Sequence, residues 1–483
     1  MDAGIDSVAT DPGDAAVLGD AGTVDAAIPD NSSAVMDVAQ CLPVPTLKPG
    51  CGAERCGNGV VDGFCPVNDP EADRESFRSE TCDTDLGAGS CSGLGYSGGE
   101  LVCGSWCGYD VRGCNPCGEH ELIHACKVLD VEASAAHDLA VAVRGDRIGV
   151  AWTQYGPDGA GEDLNHTEQY VRFALVDESF NVEVERCLAI PFARWVNLVP
   201  TENGWLLGVV SFGDDGGTFY DTLKFQVIPL DPVGQVVGPA GMTIHSHLRA
   251  LVASPHGNLL LWHAPGSELR GALLDDAGAP LWETTVLNSL SHEELDATYA
   301  DGKFVVVDRV NSEVTLTIVS LDGEVGPELV WPVERASRAR LAIYGQRIFV
   351  TWVDALNNDV YQGSTDLDEQ VITAGVRIVE GLGRSYGFSP LVATANGNIV
   401  LLTRSGWRYP RVSTELEVAP VDVNGVALSD VFLPRHDPLP AFGMNVNAFR
   451  DCALLGWIAG GVPSGGALER DFTRRIQLVR ICL

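Results

Sequence analysis

Arg144-GDRIGVAWTQ reads as a tight turn at Gly145 feeding an apolar strand that ends in Trp152. The pattern returns as Glu202-NGWLLGVVSF, Pro255-HGNLLLWHA, Ala300-DGKFVVVDRV, Tyr344-GQRIFVTWVD and Ala395-NGNIVLLTRS, and in degraded form as Arg450-DCALLGWIAG. Six copies place a glycine at the turn, at 145, 204, 257, 302, 345 and 397, in steps of 59, 53, 45, 43 and 52 residues. Trp152, Trp262, Trp352 and Trp457 close four of the strands. A period of about 40 to 50 residues with four strand-like runs per unit is the signature of a β-propeller. The expected fold is therefore all-β, with seven blades by the hairpin count. Six or eight stay open because the fifth unit, Asp359 to Val376, is irregular.

Outward from the hairpins, third strands end in aspartate turns: Leu175-VD, Pro229-LD, Leu274-DD, Leu321-DG and Val421-D. Such residues supply local side-chain bonds and tolerate positive φ. The last unit has a third strand, Arg474-RIQLVRICL, and no fourth. A strand within 121–132, ELIHACKVLDVE, precedes the first hairpin without a partner. Pairing it with 474–482 seals the ring and removes its open edges. Cys126 and Cys482 would then lie on adjacent strands and are the preferred bridge. Cys452 falls opposite Cys482 in an antiparallel register and is the competing partner.

The chain has 483 residues and a net charge of −35. That sign disfavours nucleic acid, whose phosphates need lysine and arginine. Fourteen cysteines include ten between Cys41 and Cys117, which reads as a disulfide framework made in an oxidising compartment. The spacing forms no regular zinc unit. The first forty residues show no apolar run of the signal-peptide type, which conflicts with the cysteines, and the cysteines carry more weight. Three regions follow: an acidic Asp/Ala/Gly-rich tether at 1–40 of the kind that stays disordered, a cysteine module at 41–117, and a propeller at 118–483.

Within the module, Cys56-GNGVVDG, Glu80-TCD, Gly89-SCSGLGYSGGELVC and Ser105-WCGYDVRGC resemble the disulfide repeat of surface proteins from myxobacteria and their relatives. Cys56, Cys82, Cys91, Cys103, Cys107 and Cys114 match that family's six cysteines. An insertion at 65–79 brings the additional Cys65. The resemblance covers about sixty residues and implies a secreted or surface-displayed protein, often lipid-tethered. The propeller resembles the sialidase type in architecture, yet has no S-x-D-x-G-x-T-W box.

His120-Glu121-Leu122-Ile123-His124 matches the H-E-x-x-H of zinc peptidases, which requires a helix to put both histidines on one face. Here it falls on the expected closing strand, where neighbouring side chains point to opposite faces. The stronger signal is positional. Connections from fourth to next inner strand surround one mouth of the channel and carry Arg194, Trp195, His247, Arg249, His292, Arg338, Arg340 and Tyr386. Second-to-third strand loops on that face add Asp214 and Asp215. Cations with aromatics at a concave mouth suit an acidic glycan. Asp158, Glu162 and Asp163 are weak calcium candidates. The functional expectation is an extracellular or outer-surface, non-catalytic binding protein, monomeric and without a transmembrane segment, for glycan or extracellular protein. Alternatives are a sialidase-like hydrolase and a structural surface protein.

Overall fold

A computed structural model describes residues 120–131, 136–155, 169–188, 190, 193–212, 223–244, 248–264, 268–288, 295–310, 313–331, 333, 335–368, 372–380, 385–386, 391–408, 411–432, 441–459 and 475–483. In the N-terminal region it describes 35–36, 65–66, 77–78, 90–91, 98–100, 102–103, 109–110, 114–115 and 117. The described chain is all-β and forms a seven-bladed β-propeller.

Blade one is Ala136–Arg144, Arg147–Tyr155, Gln169–Val176 and Val182–Leu188, from the inside outward. Blades two to five repeat that order, beginning at Ala193, Leu248, Asp296 and Ala336. Blade six splits its inner strand into Ser385–Tyr386 and Leu391–Thr394, both paired with Gly397–Arg408. Blade seven takes Ala441–Phe449, Cys452–Ala459 and Arg475–Cys482 from the C-terminus and its outermost strand, Ile123–Val128, from the N-terminal side. Bonds from Leu129 N–H to the Ile476 carbonyl and from Cys482 N–H to the Leu122 carbonyl bracket this seam.

Why these segments are so apolar follows from their position. A sheet standing radially between two others is covered on both faces, so its strands lose the usual polar alternation. In Arg147–Tyr155, Ile148, Val150 and Trp152 pack towards blade seven while Ala151 packs towards blade two. Seven buried clusters among the described residues occupy the seven successive blade interfaces. The recurring tryptophan fills the interface with the preceding blade: Trp152, Trp262, Trp352 and Trp457.

First-to-second and third-to-fourth strand turns share one face of an antiparallel blade, and here both are built tightly. Asp177, Asp231, Asp275 and Asp422 each accept N–H bonds from the residues two and four places on, at 2.8–2.9 Å. In blade four Ser320 takes this place: its hydroxyl accepts from Glu324 N–H and donates to Asp322. The turn's fourth residue has positive φ, supplied by Gly234, Gly278, Gly323 and Gly425, and by Phe180 in blade one. The Asn181 side chain and backbone hold the Asp177 carboxyl below its ordinary range.

The bridge between Cys126 and Cys482 is corrected. Cys452 pairs with Cys482, and Cys126 pairs with Cys117. Register is the reason: Cys126 lies opposite Val479, three residues short of Cys482. Three strand residues are about 10 Å, beyond the roughly 7 Å limit for a disulfide. Cys452 and Cys482 are direct partners with Cα atoms 4.2 Å apart.

Cys91 and Cys187 are buried and disulfide-bonded. Cys103 and Cys114 lie in the short pairs Val102–Cys103 with Tyr109–Asp110 and Cys114–Asn115 with Gly98–Gly99. Cys65–Pro66 pairs with Phe77–Arg78, a two-stranded element inside the insertion. Cys56, Cys82 and Cys107 lie outside the described residues. Val35–Met36 adds a fifth strand to blade one, against Leu188 and Cys187.

Candidate functional site

Inner strands line the channel of a propeller, and here five of those described are interrupted by a β-bulge near their start. A bulge sets two residues against one and re-aims a side chain, and bulges concentrate beside functional sites. The extra residue is Arg194 in blade two and Arg249 in blade three. In blade five Arg338 and Ala339 together oppose Trp352, with Arg338 at φ 57°. All inner strands run in the same sense, so these three arginines occupy one rim, opposite the tight aspartate turns. The Arg194 guanidinium lies 4.9 Å from the centroid of the Trp195 ring, a cation–π distance. Tyr386 ends the short outer piece of the blade-six inner strand, opposite Arg404. His247, His292, Asp214, Asp215, Asp158, Glu162 and Asp163 lie outside the described residues.

Two half-buried carboxylates hold the bulges. Asp138, on the inner strand of blade one, accepts Val196 N–H at 2.9 Å, two residues beyond Arg194. Thr153 reinforces this joint: its hydroxyl donates to the Arg194 carbonyl at 3.3 Å and accepts Asp138 N–H at 3.2 Å. Across the ring, Asp296 of blade four accepts Leu341 N–H of blade five at 3.0 Å and Ala297 N–H at 2.9 Å. In both places a carboxylate from one blade catches an N–H just past the arginine-bearing bulge of the next. Sequence patterning missed Asp138, Thr153 and Asp296. The available signal was an aspartate near the start of an otherwise apolar inner strand, as in Ala136-HDLAVAV and Leu295-DATYA.

Burial raises the Asp138 carboxyl from 3.8 to about 6, against the backbone N–H bonds from Val196 and Leu139, which lower it. The folded state thus holds this proton more tightly than the unfolded chain. Its stabilising effect is complete below about pH 3.8 and is lost as pH rises through about 6. A rise of about two units corresponds to about 3 kcal/mol. Asp138→Asn keeps a carbonyl acceptor and removes the ionisation. It is expected to gain about 3 kcal/mol over the parent between pH 4 and pH 8, measured by urea unfolding at both; an equal difference at the two pH values refutes the assignment.

Between the inner strands of blades four to seven lies a channel cavity of about 310 Å³. Asp296, Thr298, Arg340, Asn445 and Asn447 supply its polar wall, and the rest is aliphatic. Asn447 Nδ2 donates to the Val141 carbonyl at 2.7 Å, joining blade seven to blade one.

The H-E-x-x-H segment is not a helix. Glu121 and Leu122 form a turn, and His124 is exposed on the closing strand. His120 stacks on Phe432 at 3.8 Å, packing the seam against blade six. Among the described residues no group of three or more His, Cys, Asp or Glu is placed to hold a metal ion, and no helix is long and apolar enough to cross a membrane.

No protein-family model matches the chain, and no curated protein matches it. Solved structures similar to it are propellers. The β-propeller domain of the Trilobed protease from Pyrococcus furiosus is 12% identical, over 68% of this chain and 93% of that one, with a TM-score of 0.44. The Dos1 propeller is 10% identical over 74% and 94%, with a TM-score of 0.41. A subtype N11 neuraminidase-like protein of a flat-faced bat strain is 11% identical over 65% and 91%, with a TM-score of 0.37. These likenesses concern fold alone.

Proposed function

We propose that this chain is an extracellular or surface-displayed, monomeric and non-catalytic binding protein, whose propeller takes an acidic glycan at the arginine-bearing rim. One observation carries the reading: Arg194, Arg249 and Arg338 all sit at inner-strand bulges on the same end of the channel. Bidentate guanidinium contacts suit carboxylate and sulfate groups, and Trp195 beside Arg194 offers a face for a sugar ring. The bridges Cys117–Cys126 and Cys452–Cys482 support an oxidising compartment. The cysteine module's resemblance to surface repeats supports display, with a lipid tether upstream. Calcium at Asp158, Glu162 and Asp163 would order one loop of the same face.

The net charge of −35 opposes an anionic ligand at long range. Physiological salt screens that field beyond about 8 Å, leaving the contact residues to decide affinity. A charged hydrogen bond contributes about 1.5–3 kcal/mol. Arg194→Ala and Arg249→Ala are therefore each expected to weaken binding about tenfold or more. The test is a screen of the full chain against neutral and acidic glycans, with and without chelator, followed by assay for released sugar. Binding restricted to acidic glycans, without release, is the expected result. Silence on all glycans overturns the reading in favour of a protein partner, and sugar release overturns the non-catalytic part.

A further inference from the structure

We infer that the channel cavity is a separate binding site for a small aliphatic zwitterion, of the class of a free α-amino acid. Among the described lining residues the charged groups are Asp296 and Arg340, on the adjoining inner strands of blades four and five, with one Arg340 nitrogen already donating to the Ala339 carbonyl at 2.7 Å. An ammonium would meet Asp296 and a carboxylate Arg340, so the bound pair of charges leaves no net charge buried. A lone anion would face Asp296, and a lone cation would face Arg340.

The remaining chemistry narrows the class. The cavity of about 310 Å³ stands at the small end of ligand pockets, which run from about 300 to 1,000 Å³. Among the described lining residues none is aromatic, so they offer a sugar no ring to stack on. Ile343, Leu391 and Met444 border the cavity with aliphatic groups that also pack into the blade interfaces on either side. Asn445 adds an amide at the same wall.

Asp296 has capacity for the interaction. Its two oxygens each accept one backbone N–H, from Ala297 and Leu341, and a carboxylate oxygen can accept two. Those same bonds hold its geometry, so no reordering is needed when a ligand ammonium arrives. Desolvation raises this carboxyl and Arg340 opposes the rise. The inference is independent of the proposed function, because it uses none of Arg194, Arg249 and Arg338 and no anionic ligand.

The experiment titrates the full chain calorimetrically with free L-leucine, then with leucinamide, which lacks the carboxylate, and 4-methylpentanoate, which lacks the ammonium. Leucine is expected to bind, and each one-charge analogue to bind about tenfold more weakly or worse. Asp296→Asn is expected to reduce the preference for leucine over 4-methylpentanoate, and Arg340→Gln the preference over leucinamide. No heat at millimolar leucine overturns the inference, as does equal binding of either analogue. The ligand-side comparisons use the parent protein, so they decide the question even where a variant fails to fold.

Discussion

Trp457→Ala is expected to destabilise the propeller by about 3–5 kcal/mol, the range for truncating a buried tryptophan. Trp457 is fully buried between blades six and seven, among Leu416, Val418, Leu455 and Val479. The interface cannot collapse around the void, because each blade is also clamped by its other neighbour. Among the described residues the indole N–H has no hydrogen-bond partner, so its contribution is packing and not polarity. Trp457→Phe should therefore lose less than half as much as Trp457→Ala. Urea unfolding of both variants reads the difference, and equal losses would show that the indole acts through something other than its volume.

Cys452→Ser combined with Cys482→Ser is expected to cost about 3.5 kcal/mol, and to do so without moving the ligand sites. The bridge closes a loop with a sequence separation of 30, and the chain-entropy relation gives about that value. Cys117–Cys126 spans only 9 residues and by the same relation contributes about 2.5 kcal/mol. The first holds the C-terminal strand of blade seven to its inner neighbour. The second ties the closing strand to the chain just before it. Neither crosses the seam between Arg475–Cys482 and Ile123–Val128, so ring closure itself rests on backbone pairing. Thermal melts of the two double variants should rank in the order of loop length, and a reductant that opens both bridges should bring the parent below either of them. A parent protein indifferent to reductant, with both bridges shown to be reduced, would refute this account.

Some of the site was legible because it follows from where a residue falls in a blade. Arg194, Arg249 and Arg338 stand out as cations where inner strands begin, expected in the connecting loops and found within the first residues of the strands, and topology places them on one rim. Their bulges were not legible: a bulge is one residue of slippage between two strands, and the single sequence of either strand does not contain it. The Cys126–Cys482 expectation failed for the same reason. The two strands are adjacent, yet a shift of three residues sends the cysteine to a different partner. Asp138 and Asp296 escaped because their partners are backbone N–H groups of the next blade, which every residue but proline possesses.

By itself the sequence determined the repeat, a hairpin count of seven that left six or eight blades open, and the apolar strands, since periodic glycine turns and strands buried on both faces leave a local record in composition. The tertiary structure alone decided strand register, which cysteines meet, which arginines occupy bulges, and the placing of Asp296 and Arg340 on one wall of the channel. Those depend on contacts between residues far apart in the chain, at distances of a few ångströms that patterning along one strand does not specify.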